Sequence, residues 1–164
     1  KLMGGKKRFI DKLQMVFDEG LYDPANEPDI AYPYLFSYFK GEEWRTQKET
    51  QRLLDKYFTT KPDGIPGNDD TGTMSSWAIF NMIGFYPDCP GLPEYTLTTP
   101  VFDKVTIRLD PKWYKEKELV IESNRAQPGT LYINKVLLNG KKFNKYRITH
   151  DELVHGQHIY FDLK

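Results

Sequence analysis

The 164-residue chain has one cysteine, Cys89, three histidines, and no surplus of either charge, with 23 basic and 23 acidic side chains. A single cysteine excludes an internal disulfide and any cysteine-rich metal site. It sits in a proline loop with no base near it in sequence, so it makes a poor nucleophile. His150, His155 and His158 all fall late in the chain. None has the spacing of a zinc motif such as H-E-x-x-H, and they read as surface or turn residues. Zero net charge gives no basic footprint for nucleic acid or an anionic membrane. No apolar run approaches the ~20 residues of a membrane-spanning helix. Gly64-x-x-Gly67 lacks the Lys and Ser/Thr of a phosphate loop. No leader-like segment opens the chain, and Leu2-Met3-Gly4-Gly5 reads as the tail of an earlier element.

Aromatic residues are abundant, at 15%, which supports a packed core over disorder. Lys6 to Phe17 has Phe9, Leu13 and Val16/Phe17 at helical spacing, bounded by Gly4-Gly5 and Gly20. Ile30 to Phe39 is dense in apolar and aromatic residues and reads as a buried helix. Helical periodicity is clearest from Trp44 to Phe58, where Leu53, Leu54, Tyr57 and Phe58 form the apolar side and Glu49, Gln51, Arg52 and Lys56 lie away from it. Thr73 to Ile83 is apolar on most sides, the pattern of a helix buried all round. Pro87, Pro90, Pro93 and Pro100 then interrupt any helix. Short alternating runs follow at Val105–Leu109, Leu119–Ile121, Leu131–Leu138 and Ile159–Leu163, with Asn139-Gly140 as a hairpin signal. The expectation is an α+β chain: a helical part at 1–85, a proline-rich linker at 86–100, and a C-terminal antiparallel β segment at 101–164. Antiparallel helices with loops at one end fit part of an α/α barrel. Four helices are too few to close one.

The most informative stretch runs from Gly64 to Trp77. It places Asn68, Asp69 and Asp70 on a loop punctuated by Gly64, Pro66, Gly67 and Gly72, directly before an apolar helix. As a cap, Asp70, Thr71 or Thr73 accepts from the free N–H groups of the first helical turn. As a site, the carboxylates bind a cation or take a proton from water. Adjacent carboxylates approach a bond from one side, so a glycosidase acid and base cannot both come from this pair. Glu27, in Asn26-Glu27-Pro28, is either a solvated loop charge or, with Asn26, a source of oxygen ligands for a hard cation or of hydrogen bonds to sugar hydroxyls. Trp44 is either a core anchor or a platform under a sugar ring. Trp77, in an apolar helix, reads as core. Tyr22, Tyr32 and Tyr34 read mainly as packing.

In wording and order the chain resembles glycoside hydrolase family 92, the calcium-dependent exo-acting α-mannosidases. The likeness is carried by Asn26-Glu27-Pro28, Tyr34-Leu35-Phe36, Trp44-Arg45-Thr46-Gln47, Pro62-Asp63-Gly64, Gly67-Asn68-Asp69-Asp70, Met74-Ser75, Trp77 and Gly84-Phe85-Tyr86-Pro87. It continues through Pro93-Glu94-Tyr95, Phe102-Asp103-Lys104, Leu138-Asn139-Gly140-Lys141 and Ile148-Thr149-His150. The resemblance implies part of an (α/α)6 barrel and cleavage of terminal α-mannose with inversion, with α-1,2-linked glycans as substrate. It implies Asp70 as general base and Asp69 or Asn68 holding the water or the calcium shell. Asn26 and Glu27 become pocket or calcium-shell residues, and Trp44 a substrate contact. The family's general acid is a glutamate upstream of the segment resembling Leu2–Gly5. The resemblance therefore implies a fragment that supplies the base without the acid and is inactive alone. It would be partnered by the N-terminal remainder of a secreted, periplasmic or cell-surface enzyme. The other class of function this pattern allows is a non-catalytic carbohydrate-binding domain that keeps the sugar pocket.

Overall fold

The computed structural model describes residues 3–25, 27–125 and 129–164. The fold is mixed α+β and divides into two compact units, residues 1–78 and 79–164.

The first unit begins with helix α1, Lys6–Asp18. Ile10, Leu13 and Phe17 recur every three to four residues and form its buried face. A 3₁₀ helix, Glu27–Tyr38, occupies most of the stretch expected as a buried helix. Pro28 lacks an N–H, and Pro33 removes another donor in mid-run, so the α-helical ladder cannot propagate there. The Pro33 carbonyl instead accepts from Thr46 Oγ1 at 2.8 Å. Helix α2, Glu43–Tyr57, buries Leu53 and Leu54 as its pattern predicts. It also buries Glu49, which the pattern placed on the outer side. Glu49 is 0% exposed, and its burial is possible because partners meet both carboxylate oxygens. Gln14 Nε2 donates at 2.9 Å and Arg52 at 3.2 Å. Arg45 donates to Gln14 Oε1 at 2.7 Å, and Arg52 reaches the Phe17 carbonyl at 2.7 Å. Glu49 is buried while Arg52 is 39% exposed, so solvent screens that pair in part; with the Gln14 contacts the network ties α2 to α1.

Helix α3 is Thr73–Ile83. It is not buried all round: Met74, Trp77 and Ala78 are buried, while Ile79 is 59% exposed.

The second unit holds two sheets. One is three-stranded, in the order β1 (Phe85–Tyr86), β2 (Glu94–Leu97), β7 (Arg147–Thr149). The other is five-stranded, in the order β3 (Lys104–Arg108), β4 (Glu118–Ser123), β8 (His158–Leu163), β5 (Ile133–Leu138), β6 (Lys141–Phe143). The stretch 86–100, marked as a linker by its prolines, therefore contains β2. The β region is also not wholly antiparallel, since β4 and β8 pair in parallel. Between them the chain makes the β5–β6 hairpin, contributes β7 to the other sheet and passes through a short helix α4, His150–Gly156. That long excursion lets β8 return in the direction of β4. The hairpin turn is Asn139-Gly140, with φ values of 49° and 74°, the positive pair that a two-residue turn of this hand requires. Ile159, Phe161 and Leu163 alternate inward on β8 and join Phe85, Leu97, Ile121, Ile148 and Leu153 in one core. Each such side chain, fully buried, contributes about 1.5–3 kcal/mol.

Helix α4 is set by a reciprocal cap. Glu152 N–H donates to Thr149 Oγ1 at 3.1 Å, and Thr149 N–H donates to Glu152 Oε2 at 3.0 Å. Lys145 Nζ lies 2.8 Å from Glu152 Oε1. The Lys145 ammonium, then the Thr149 amide, hold the Glu152 carboxyl below its ordinary 4.5. Thr149→Ala is expected to cost about 1 kcal/mol in urea unfolding. Because the folded-state pKa is lowered, Glu152 contributes stability above pH 4.5 and loses it as pH falls through the folded value. The stability gap between wild type and Glu152→Gln should therefore close in acid; a gap independent of pH would refute the assignment.

Candidate active site

The loop after α2 is closed by its own backbone. Thr59 N–H donates to the Gly64 carbonyl and Gly64 N–H to the Lys61 carbonyl, each at 2.9 Å. A Cβ at Gly64 would run into the Thr59 carbonyl oxygen, so only glycine fits there. Gly67 has φ +63°, and a Cβ there would lie 2.7 Å from Ala25 Cβ and 2.9 Å from the Ala25 carbonyl oxygen. The backbone at Gly67 is thus pressed onto Ala25. Asn68, Asp69 and Asp70 follow this contact directly in the chain. Ala25 is held in turn by its N–H, which donates to Asp23 Oδ1 at 2.9 Å. Asn26 lies outside the described residues.

The two aspartates have opposite surroundings. Asp69 caps α3: its Oδ1 accepts from Ser75 N–H at 2.7 Å and its Oδ2 from Ser75 Oγ at 2.8 Å. Its carbonyl accepts from Gly72 N–H at 3.0 Å and from Met74 N–H at 3.4 Å. The cap is therefore made by Asp69, and not by the side chains of Asp70, Thr71 or Thr73. The Ser75 amide, then the Ser75 hydroxyl, hold the Asp69 carboxyl below the usual range; partial burial pushes the other way, and the Met74 amide adds to the lowering.

Asp70 uses only its backbone for structure. Its carbonyl accepts from Thr73 N–H at 3.2 Å, from Thr73 Oγ1 at 2.7 Å and from Thr71 Oγ1 at 2.6 Å. Its side chain is exposed and takes no hydrogen bond from the described residues. Asp70 and Thr71 sit at φ 40° and 58°, in the left-handed region that costs a non-glycine residue about 1–2 kcal/mol. Strain of this kind persists where surrounding bonds over-determine it, and it clusters at functional sites.

Asn68 and Glu27 are exposed. The Glu27 carboxylate opens the 3₁₀ helix and has no hydrogen-bond partner among the described residues. Trp44 stands at the start of α2, 39% exposed, with the Arg45 guanidinium 4.5 Å from its ring centroid. At this exposure it is not a core anchor. Trp77 is core, stacked on Phe58 at 5.3 Å and 18°. Tyr22 and Tyr34 are buried. His150 lies between Tyr95 and Tyr114, and His158 bonds Glu122 at 2.8 Å. A cavity of about 230 Å³ lies at 133–136 and 142–146 in the β unit. It has no carboxylate in its lining, so it cannot supply a proton acceptor of this kind.

Carboxylate oxygens such as those of Glu27, Asp69 and Asp70 suit a hard cation in kind. Among the described residues, no group of three or more His, Cys, Asp or Glu side chains could hold a metal. Calcium takes six to eight oxygens, so the described side chains do not complete a shell.

Sequence reasoning did not identify Ser75 as the partner of Asp69. Its position in the first turn of a helix, six residues after an acid on a constrained loop, is the signal available.

The glycosyl hydrolase family 92 catalytic domain model matches residues 1–164. An uncharacterized secreted glycosidase of Arthroderma benhamiae is 29% identical over 155 residues, which is 94% of this chain and 20% of that protein. A family 92 α-mannosidase from Bacteroides thetaiotaomicron, solved with mannoimidazole, is 30% identical with a TM-score of 0.87, over 98% of this chain and 22% of that one. A family 92 inverting mannosidase from the same organism is 32% identical with a TM-score of 0.78, over 98% of this chain and 21% of that one. The chain thus spans about a fifth of the length of these relatives.

Gly67→Ala should cost about 1–3 kcal/mol, from its left-handed backbone and from the Ala25 contact together. Thermal unfolding checks this, and an unchanged Tm would mean the two loops are not pressed together.

Proposed function

The chain belongs to the catalytic domain of glycosyl hydrolase family 92, and on that premise we propose that it supplies the general-base side of an inverting exo-α-mannosidase acting on terminal, α-1,2-linked mannose of glycans. The observation that carries this reading is the Asp70 carboxylate. It is exposed and without a partner among the described residues, on a strained loop whose Gly67 is seated against Ala25. The relatives described as α-mannosidases, one of them as inverting, support the substrate class and the stereochemistry.

In this reading Asp70 accepts a proton from the water that attacks the anomeric carbon. A carboxylic acid on the opposite side of the glycosidic bond protonates the leaving oxygen. An inverting pair stands roughly 6.5–9.5 Å apart, with the water between. Asp69 and Asp70 are successive residues of one loop, so the acid comes from outside this loop; the family resemblance implies a glutamate in the N-terminal remainder of the parent enzyme. Glu27 and Asn26 would contribute oxygens to calcium, with the rest of the shell supplied by ligands beyond the described side chains. When bound, calcium would hold sugar hydroxyls and fix the ring's position. Asn68 hydrogen-bonds the substrate or its water, and Trp44 offers an aromatic face to a sugar. The helices form part of an (α/α)6 barrel. The secreted relative supports action outside the cytoplasm.

Asp70→Asn tests the assignment with little disturbance, because Asn tolerates the left-handed backbone. In the intact parent enzyme it should lower kcat for an α-mannoside by about 10²–10⁴-fold and leave mannose binding nearly unchanged. The isolated 164-residue chain should release no mannose. A parent enzyme whose turnover survives Asp70→Asn would sink the general-base role. An unmutated parent that binds mannosides and never turns them over would point to the carbohydrate-binding alternative.

A further inference from the structure

We propose that Asp69 is a positioning residue for Asp70: bonded to Ser75, it fixes the loop from which Asp70 acts and exchanges no proton with substrate or water. The inference rests on the general-base reading of Asp70 and assigns a role to Ser75, which that reading leaves without one.

Both Asp69 carboxylate oxygens are engaged by one residue. The Ser75 amide reaches one oxygen at 2.7 Å and the Ser75 hydroxyl reaches the other at 2.8 Å. Hydrogen bonds to an ionised acceptor are roughly twice as strong as neutral ones, and this two-point attachment fixes the carboxylate plane as well as its distance. The Asp69 carbonyl is tied to Gly72 and Met74. Side chain and main chain of Asp69 are therefore both fastened to the segment from Gly72 to Ser75.

Asp70 and Thr71 lie within the loop that these bonds close. Both have left-handed backbones without being glycine, a conformation the chain leaves unless it is held. On the far side, Thr73 holds the Asp70 carbonyl through N–H and Oγ1. Asp70 is thus pinned at its carbonyl and through its preceding residue, while its carboxylate carries no restraint from the described residues. Loosening Asp69 releases the preceding peptide, lets Asp70 relax toward ordinary φ, and redirects its carboxylate. A displacement of about 1 Å at a reacting group can cost about 10²-fold in rate.

The test uses the intact enzyme and an α-mannoside, with kcat and KM measured separately. Ser75→Ala deletes the hydroxyl and should lower kcat about 10- to 100-fold, with KM little changed. Ser75→Thr keeps the hydroxyl and should restore most of the rate. Asp69→Asn should match Ser75→Ala, and the double variant should be no worse than the weaker single one, because the two residues act as a unit. If Ser75→Ala fails to fold, the comparison of Asp69→Asn with Ser75→Thr decides. Loss in Asp69→Asn as deep as in Asp70→Asn, with Ser75→Ala near wild type, would overturn the positioning role and make Asp69 a participant in the chemistry. That pattern would leave the Asp70 reading standing. Full activity in Asp70→Asn would instead remove the reading on which the inference rests.

Discussion

The first turn of a helix presents amide groups that no residue of the helix can satisfy, and in this chain the answer to that demand shapes the candidate site. Asp69 meets it at Ser75, six residues ahead and from outside the helix. Most caps sit at the residue next to the first turn. Reaching from further back forces the intervening residues into a tight coil, and Asp70, Thr71 and Gly72 take positive φ as a result. Gly72 carries no penalty there, whereas the other two do. The charged hydrogen bonds at Ser75 and the three bonds to the Asp70 carbonyl offset that cost. The exposed Asp70 carboxylate is thus a by-product of where the cap was placed.

A second constraint lies in the helical unit. Glu49 carries a charge-bearing group into a fully buried position, where an unmatched carboxylate would be expensive. Gln14 is the central member of its network. Its amide nitrogen donates to Glu49 and its oxygen accepts from Arg45, so the same side chain serves an acid and a base. Arg52 then joins Glu49 to the carbonyl near the end of α1. Apolar packing alone tolerates small slips between helices. A network with directional partners on both oxygens does not, and it sets the register of α2 on α1. Thr46 at the other end of this face does the same for the 3₁₀ helix through Pro33.

The parts legible in the sequence were those governed by period or by turn chemistry. Ile10, Leu13 and Phe17 follow from helical spacing, and the β5–β6 hairpin follows from Asn139-Gly140. The helix at 27–38 was legible as a helix and not as 3₁₀, because the apolar density of Ile30–Phe39 outweighed the missing donor at Pro33. Glu49 was misplaced because binary patterning treats every charge as outward and cannot see Gln14 coming from another helix. Strand β2 was hidden by its flanking prolines, which mark the ends of Glu94–Leu97 and not a continuous linker. The parallel pairing of β4 with β8 depends on a path of more than thirty residues, and no local signal records it. At the site, glycine and proline placement gave the loop, but the different surroundings of Asp69 and Asp70 were invisible. Two identical side chains in succession differ only in what surrounds them.

That difference is the chemical point. A carboxylate held by two donors is favoured in its charged form, which makes it a good anchor and a weak proton acceptor. A carboxylate with no such donors is left open to a water molecule. In the proposed site, separating the two roles onto neighbouring residues avoids a compromise that one residue would face, since each hydrogen bond that improves positioning also lowers basicity. The backbone resolves it: Asp70 is located through its carbonyl and through Asp69, and its own oxygens are left unspent. The glycine at position 67 completes the arrangement by letting the loop lie on Ala25, where any side chain would hold it off. Placement of the candidate base thus depends on main-chain contacts at Gly67, Asp69 and Asp70 more than on the side chain that would do the chemistry.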